Sequence, residues 1–123
     1  MPGFRAERIA EMIHKELAQR LRLEIKDPRV GPISITSITV TKDLSRAVVL
    51  FLPLGGGDPS DELSAGLEAA GRKLRGPIGR ALRLRHAPEL VFRFDEHHAQ
   101  AVAVTRLLDK LQREREEDEE DEA

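Results

Sequence analysis

Between residues 5 and 24 the apolar positions Ile9, Met12, Ile13, Leu17 and Leu21 fall three or four apart, with Arg5, Arg8, Lys15 and Arg20 interleaved. This spacing predicts an amphipathic helix. The helix should end before Asp27-Pro28, because proline disfavours the helical conformation in the residue ahead of it. A turn, KDPRVGP, follows. From Ile33 the period changes to two: Ile33 and Ile35 alternate, then Ile38 and Val40, and β-branched residues dominate. The slip of phase at Thr36-Ser37 predicts a β-bulge inside the strand. After the turn KDLS, the run AVVLFL from Ala47 to Leu52 is nearly all apolar. Such a strand is central in its sheet or covered on both faces, and the two strands form a hairpin.

Asp58-Pro59 reads as a helix start, a capping acid with proline in the first turn, strengthened by Asp61 and Glu62 near the positive end of the helix dipole. Leu63, Leu67, Ala70 and Leu74 then form one apolar stripe that runs through Gly71 toward Pro77. Leu90 to Phe94 predicts a third strand with Leu90, Phe92 and Phe94 on one face. Asp95 can cap a last helix presenting Val104, Leu108 and Leu111. The predicted order is α-β-β-α-α-β-α, an α+β chain.

With 123 residues, 40% of them apolar, the chain is long enough for one domain with a single core. No cysteine is present, which excludes disulfides, thiolate metal sites and cysteine nucleophiles and fits a reducing compartment, the cytoplasm by default. The first twenty residues mix acids and bases without an apolar signal region, and no run approaches the ~20 apolar residues of a membrane span. A soluble chain, not a membrane protein, is expected.

The formal charge of −2 averages two unlike segments. Residues 114–123, EREEDEEDEA, hold eight acids and one arginine, leaving 19 basic against 14 acidic groups in the rest, a net of +5. The reading is therefore a basic domain, 1–113, and an acidic disordered tail, 114–123. The basic charge is itself concentrated. The 20 residues between Glu68 and Glu89 contain no carboxylate but carry Arg72, Lys73, Arg75, Arg80, Arg83, Arg85 and His86. On a helix these cations, His86 and Arg85 aside, span an arc of about 160° opposite Ala70, Leu74, Ile78, Ala81 and Leu82. Arginine outnumbers lysine here five to one, which suits forked contacts to phosphate. With no Trp or Tyr and with Phe51, Phe92 and Phe94 in strands, no ring platform for unpaired bases is evident, so phosphate and shape recognition of folded RNA is expected.

Catalytic chemistry finds no support. His97-His98 beside Asp95 and Glu96 has a metal-like composition, but adjacent residues diverge on a helix and no H-E-x-x-H spacing exists, so a solvated helix start is the reading. The loop PLGGGDPS lacks the Gly-Lys-Ser/Thr ending of a phosphate loop and reads as a linker. No nucleophile elbow or paired carboxylate set is present. No cofactor and no metal are expected.

Gly76-Pro77-Ile78-Gly79 is a G-x-x-G, the pattern with which KH domains clamp nucleic-acid backbone. Such a clamp needs glycine for close approach to phosphate, whereas a helix interior does not, and there Gly79→Ala should leave stability unchanged or slightly raised. A single-strand RNA-binding KH module that uses these four residues, and a protein-interaction adaptor whose basic helix meets an acidic partner, are the rival readings.

Taken together, RAERIAEMIHKEL, IKDPRVG, ITSITVTKDLSRAVVLF, the Leu74-Arg75 pair, Arg83-Leu84-Arg85 and PELVFRFD resemble the bacterial ribosome-binding factor A family over about residues 5 to 112. The resemblance implies a type II KH-like domain, α-β-β-α-(kink)-α-β-α, with a three-stranded sheet and helices packed on one side. It implies no enzymatic activity and a cytoplasmic, monomeric factor. That factor would bind the 30S subunit and 16S rRNA, near the 5′-end helix and the subunit neck, in late small-subunit maturation. Cold adaptation and overlap with an Era-type GTPase are implied as well. The family replaces the G-x-x-G loop by an Ala-x-Gly kink, which falls on Ala70-Gly71-Arg72 in ungapped register, or on Ala69-Ala70-Gly71 with a shift of one. The expected RNA-contacting residues are Arg5, Arg8, Arg29, Arg72, Lys73, Arg75, Arg80, Arg83 and Arg85, with Gly76 to Gly79 within or at a distortion of the helix rather than the clamp.

Overall fold

A computed structural model describes residues 4–122; residues 1–3 of the expected domain and residue 123 of the expected tail lie outside the described residues. The first helix, α1 (Phe4–Glu24), buries Ile9, Ala10, Ile13 and Leu17 along one stripe, with Met12 at its exposed rim. On its outer side Arg20 lies between Glu16 and Glu24, at 3.1 and 2.8 Å. Strands β1 (Ile33–Val40) and β2 (Arg46–Pro53) form the antiparallel hairpin. Ile35 opposes Phe51 and Ser37 opposes Leu50, which leaves Thr36 as the extra residue of the bulge the phase slip predicted. The β2 strand is the central one, as its apolar run implied, and β3 (Glu89–Phe94) lies parallel to it on the other side.

A parallel pair needs a crossover, and α2 (Asp61–Ala81) supplies it. Here the structure corrects two expectations. The helix begins after Ser60, whose hydroxyl accepts from the Leu63 N–H at 3.0 Å, so Ser60 and not Asp58 is the cap. It then runs unbroken for 21 residues where two helices about a kink were expected. The small residues Ala69, Ala70 and Gly71 meet a packing need. A Cβ on Gly71 would stand 3.1 Å from the Leu90 carbonyl oxygen and 3.3 Å from the Phe92 ring, so the helix lies directly on β3. Pro77 is carried inside the helix, one turn from its end, where a single missing N–H bond is the main cost.

Both α1 and α2 cover the same face of the sheet. One cluster joins Ile9, Ile13 and Leu17 to Val40, Ala47, Val49, Leu74, Ile78 and Leu90, and a second joins Phe51, Leu63 and Leu67. The last helix, α3 (Glu96–Glu122), departs from this pattern. Val104, Leu108 and Leu111, the apolar stripe expected on this helix, are more than half exposed, as is Leu107. Only its first turns, at Ala99 and Val102, are half-buried. It also continues to Glu122, through most of the segment expected to be disordered, over residues of good helix propensity such as Glu and Arg.

Thr36, the bulge residue, ties this helix to the sheet. Its hydroxyl donates to Asp95 Oδ2 at 2.6 Å, while Asp95 Oδ1 caps α3 by accepting from the His98 N–H at 3.0 Å. The Thr36 hydrogen bond and then the His98 amide hold the Asp95 carboxyl below its ordinary 3.8. Asp27, bonded by Arg29, and Asp43, bonded by Ser45 and Thr41, are each lowered to about 2. Depressed folded-state values contribute stability that is fully present above the ordinary carboxylate value and is lost as pH falls through the depressed one. The expected result is a urea midpoint insensitive to these three groups at neutral pH that declines from about pH 4 toward pH 2. In Asp95→Asn the acid slope is shallower, and amide exchange in the first turn of α3 is faster.

Candidate nucleic-acid interface

Arg72, Lys73, Arg75 and Arg80 are all exposed on α2, on the side opposite Ala70, Leu74 and Ile78. The two-sided helix predicted from the carboxylate-free run therefore exists up to Arg80, while Ala81, expected on the packed side, is exposed where the helix ends. There a Schellman turn ends it: the Leu84 N–H donates to the Gly79 carbonyl at 2.9 Å and the Arg83 N–H to the Arg80 carbonyl at 3.2 Å. Arg83 occupies the left-handed position of this turn, φ 55°, where glycine is usual. A left-handed conformation costs an L-residue roughly 1–2 kcal/mol, so Arg83→Gly is expected to raise stability by about 1 kcal/mol in urea unfolding while removing a cation from the candidate interface. A loss of stability on that change would mean that the arginine side chain itself holds the turn.

The connection from α2 to β3 folds back over the helix. Arg75 Nε donates to the Ala87 carbonyl at 3.0 Å, and Ala87 covers Gly79. Gly79 is buried, and neither Gly76 nor Gly79 has positive φ. The G-x-x-G thus lies within the helix, with Gly79 packed under a loop, and is not an exposed backbone clamp.

Arg5, Arg75 and Arg85 line one cavity together with His86, and Arg5 and Arg8 line a shallower hollow that shares Ile9 and Leu84 with it. Four of the expected residues, drawn from three segments of the chain, therefore gather beside the C-terminal end of α2. Among the described residues, Arg5, Arg8, Lys73, Arg75, Arg80, Arg83 and Arg85 have no carboxylate within ion-pair distance. Arg72 differs, reaching Glu68 at 3.2 Å in an exposed pair of little energetic weight. Arg29 is not brought to the group. Its Cβ lies beside Gly66, about 20 Å along α2 from Gly79, and its guanidinium is forked onto Asp27 at 2.7 and 3.0 Å.

The β1–β2 turn also reaches this end, and sequence reasoning missed it. Asp43 and Leu44 line the cavity with the arginines. The one local signal was Asp43 two residues before Ser45, the spacing of an Asx turn, and the Ser45 N–H does donate to Asp43 Oδ1 at 3.1 Å. His97 and His98 are exposed in the first turn of α3, and among the described residues no three His, Cys, Asp or Glu side chains gather as a metal site.

A profile of ribosome-binding factor A matches residues 5–108. The chain belongs to that family. A ribosome-binding factor A of Aromatoleum aromaticum is 38% identical over 109 residues, covering 89% of this chain and 86% of that one. One from a Synechococcus strain is 42% identical over 117 residues, covering 94% and 87%. Two structural neighbours share the fold. The crystal structure of ribosome-binding factor A from Thermus thermophilus superposes with a TM-score of 0.54 at 20% identity, covering 72% of this chain and 89% of that one. A homology model of the Thermus thermophilus factor, fitted into a cryo-electron microscopy map of a 30S complex, gives 0.58 at 22% identity, covering 69% and 89%. The family's members carry the name of binding factors, not of enzymes, and none of this chain's described helices is long and apolar enough to cross a membrane.

Proposed function

We propose that this chain is a ribosome assembly factor that binds the 30S subunit through 16S rRNA, in the region of the 5′-end helix, during late maturation of the small subunit. The observation that carries the reading is the set of arginines at the C-terminal end of α2 without carboxylate partners among the described residues, in a family with a member whose homology model has been fitted into a 30S complex. Arg5, Arg8, Lys73, Arg75, Arg80, Arg83 and Arg85 meet phosphate, and Arg72 joins them once released from Glu68. Forked guanidinium contacts hold the register of the protein on folded RNA without reading sequence. The factor acts as a cytoplasmic monomer without catalysis or cofactor, and cold adaptation follows from its part in subunit maturation. Residues 1–113 form the binding domain. The acidic end, 114–123, is repelled by rRNA and points away from it, which keeps the basic face as the sole docking side.

Cosedimentation decides the matter. Tagged protein layered with free 30S subunits and, separately, with 70S ribosomes should travel with the former and not the latter. Equal recovery with both, or with neither, defeats the assembly reading.

A further inference from the structure

Between the first turns of α1, the β1–β2 turn and the connection from α2 to β3 lies a cavity of about 370 Å³. Its floor is apolar: Ile9 and Pro88 are buried and Leu84 and Ala87 half-buried. Its rim is cationic, with Arg5, Arg75 and Arg85. One carboxylate enters the same wall. Asp43 Oδ1 accepts from the Thr41 hydroxyl at 2.7 Å, the Ser45 hydroxyl at 2.7 Å and the Ser45 N–H at 3.1 Å, whereas Oδ2 accepts no hydrogen bond among the described residues. Those donors lower the Asp43 carboxyl to about 2, so the free oxygen is an anionic acceptor at neutral pH. The backbone around the cavity is unusual as well. Among the described residues only two non-glycines have positive φ: Leu44 at 62°, which lines the cavity, and Arg83 at 55°, which leads into Leu84 and Arg85. The first shapes the β1–β2 wall of the cavity, and the second is the helix-ending position described above.

A site for phosphate alone needs no apolar floor, and a carboxylate in its wall would oppose the anion. Apolar floor, guanidinium rim, imidazole and one unengaged acceptor together match the parts of a nucleotide. We propose that this cavity receives a single unpaired ribonucleotide of the bound RNA, its base on the floor against Leu84, its phosphate between Arg5 and Arg85, and an amino group of the base on Asp43 Oδ2. The proposal rests on the RNA reading above and deepens it. The volume falls in the lower part of the ~300–1,000 Å³ range of small-ligand sites. In a chain without Tyr or Trp, His86 and the arginine planes supply the stacking surfaces. Cytosine, adenine and guanine carry an amino donor on the pairing edge, while uracil sets an oxygen on each side of its single N–H and so turns negative charge toward the carboxylate.

The test is an amide-detected NMR titration of the full chain with CMP, GMP, UMP and, separately, inorganic phosphate. CMP and GMP should shift Leu44, Leu84 and Ala87 and bind about three- to tenfold more tightly than UMP, the worth of one hydrogen bond. Asp43→Asn, whose amide can donate or accept, should erase that preference. His86→Ala should weaken all three nucleotides and His86→Phe restore them. A uridine hexamer with one central cytidine should bind more tightly than CMP, because flanking phosphates reach the rim; tighter binding of CMP would mean a site for free nucleotides and overturn the proposal. Inorganic phosphate that reproduces the nucleotide shifts, or a wild-type chain that does not distinguish CMP from UMP, also overturns it, and this second criterion holds even if Asp43→Asn fails to fold. Parallel cosedimentation separates the two claims. Binding to 30S with no nucleotide in the cavity sinks the pocket and leaves the assembly role, while nucleotide binding without 30S binding does the reverse.

Discussion

Gly79→Ala should destabilise the protein by about 1–2 kcal/mol, the cost of overpacking a filled contact less the helix-propensity gain of alanine. A Cβ at Gly79 would stand 2.6 Å from the Cβ of Ala87 and 3.5 Å from its Cα, a backbone-anchored neighbour that cannot swing away. This reverses the sign expected from sequence, where a glycine in a helix interior should gain from alanine. Gly76→Ala is the internal comparison. Its Cβ would meet the far end of the Arg80 side chain, at 3.3 Å, and in helical conformation would also crowd the Pro77 ring, which offsets the propensity gain, so that change should leave stability near wild type. The two glycines of one G-x-x-G are thus expected to differ in urea unfolding, with Gly79→Ala the costlier change. Gly79→Ala combined with Ala87→Gly should recover most of the loss, since contacting sites couple and the pair removes the added methyl's partner. Wild-type stability in Gly79→Ala alone would mean that the α2–β3 connection does not sit on the helix. The contact bears on the proposed RNA-binding face because the same connection presents Arg85 and His86 and is held by Arg75 through the Ala87 carbonyl.

Much of the fold was written in local pattern. The phase slip at Thr36-Ser37 located the bulge to the residue, and the unalternated run from Ala47 to Leu52 marked the central strand, because both signals come from which faces of a strand are covered. What depended on a distant partner was less legible. The stripe of Val104, Leu108 and Leu111 has the spacing of a core-facing helix, yet periodicity states only that a helix is amphipathic and not that anything lies beneath it. Gly71 and Pro77 are punctuation by local rules, but Gly71 is small because Leu90 and Phe92 press on it, and one proline near a helix end is tolerated in a helix packed along its whole length. For the interface, the carboxylate-free run revealed the α2 arginines, because charge segregation is a property of sequence. The contribution of Asp43 and Leu44 arises only when the β1–β2 turn folds against the far end of the chain, and Arg83 hid its structural role because the Schellman position carries arginine and not glycine.

Replacing Lys73, Arg80 and Arg85 together by Glu should reduce 30S binding by orders of magnitude while the fold survives. All three are exposed and have no ion-pair partner among the described residues, so the folded state loses no salt bridge, and unfolding should stay within about 1 kcal/mol of wild type, most of it from the acid placed in the last turn of α2 at Arg80. Arg75 is left intact because its Nε is committed to the Ala87 carbonyl, and its loss would mix structure with charge. Each neutralised phosphate releases a condensed counterion, so wild-type affinity should fall with salt at a log-log slope of roughly −3 to −5 if about five phosphates are engaged, and the triple variant should flatten that slope, by up to about 2.7 when each of the three cations meets one phosphate. Arg29 is the control. Its fork is already occupied by Asp27, and it lies at the other end of α2, so Arg29→Ala should change 30S affinity and its salt slope less than Arg80→Ala does, although Arg29 is as basic. Net charge alone predicts equal effects from the two single changes; only a localised face separates them, and an equal loss from both would show that the body binds rRNA by diffuse attraction instead of through the end where Arg5, Arg75 and Arg85 converge.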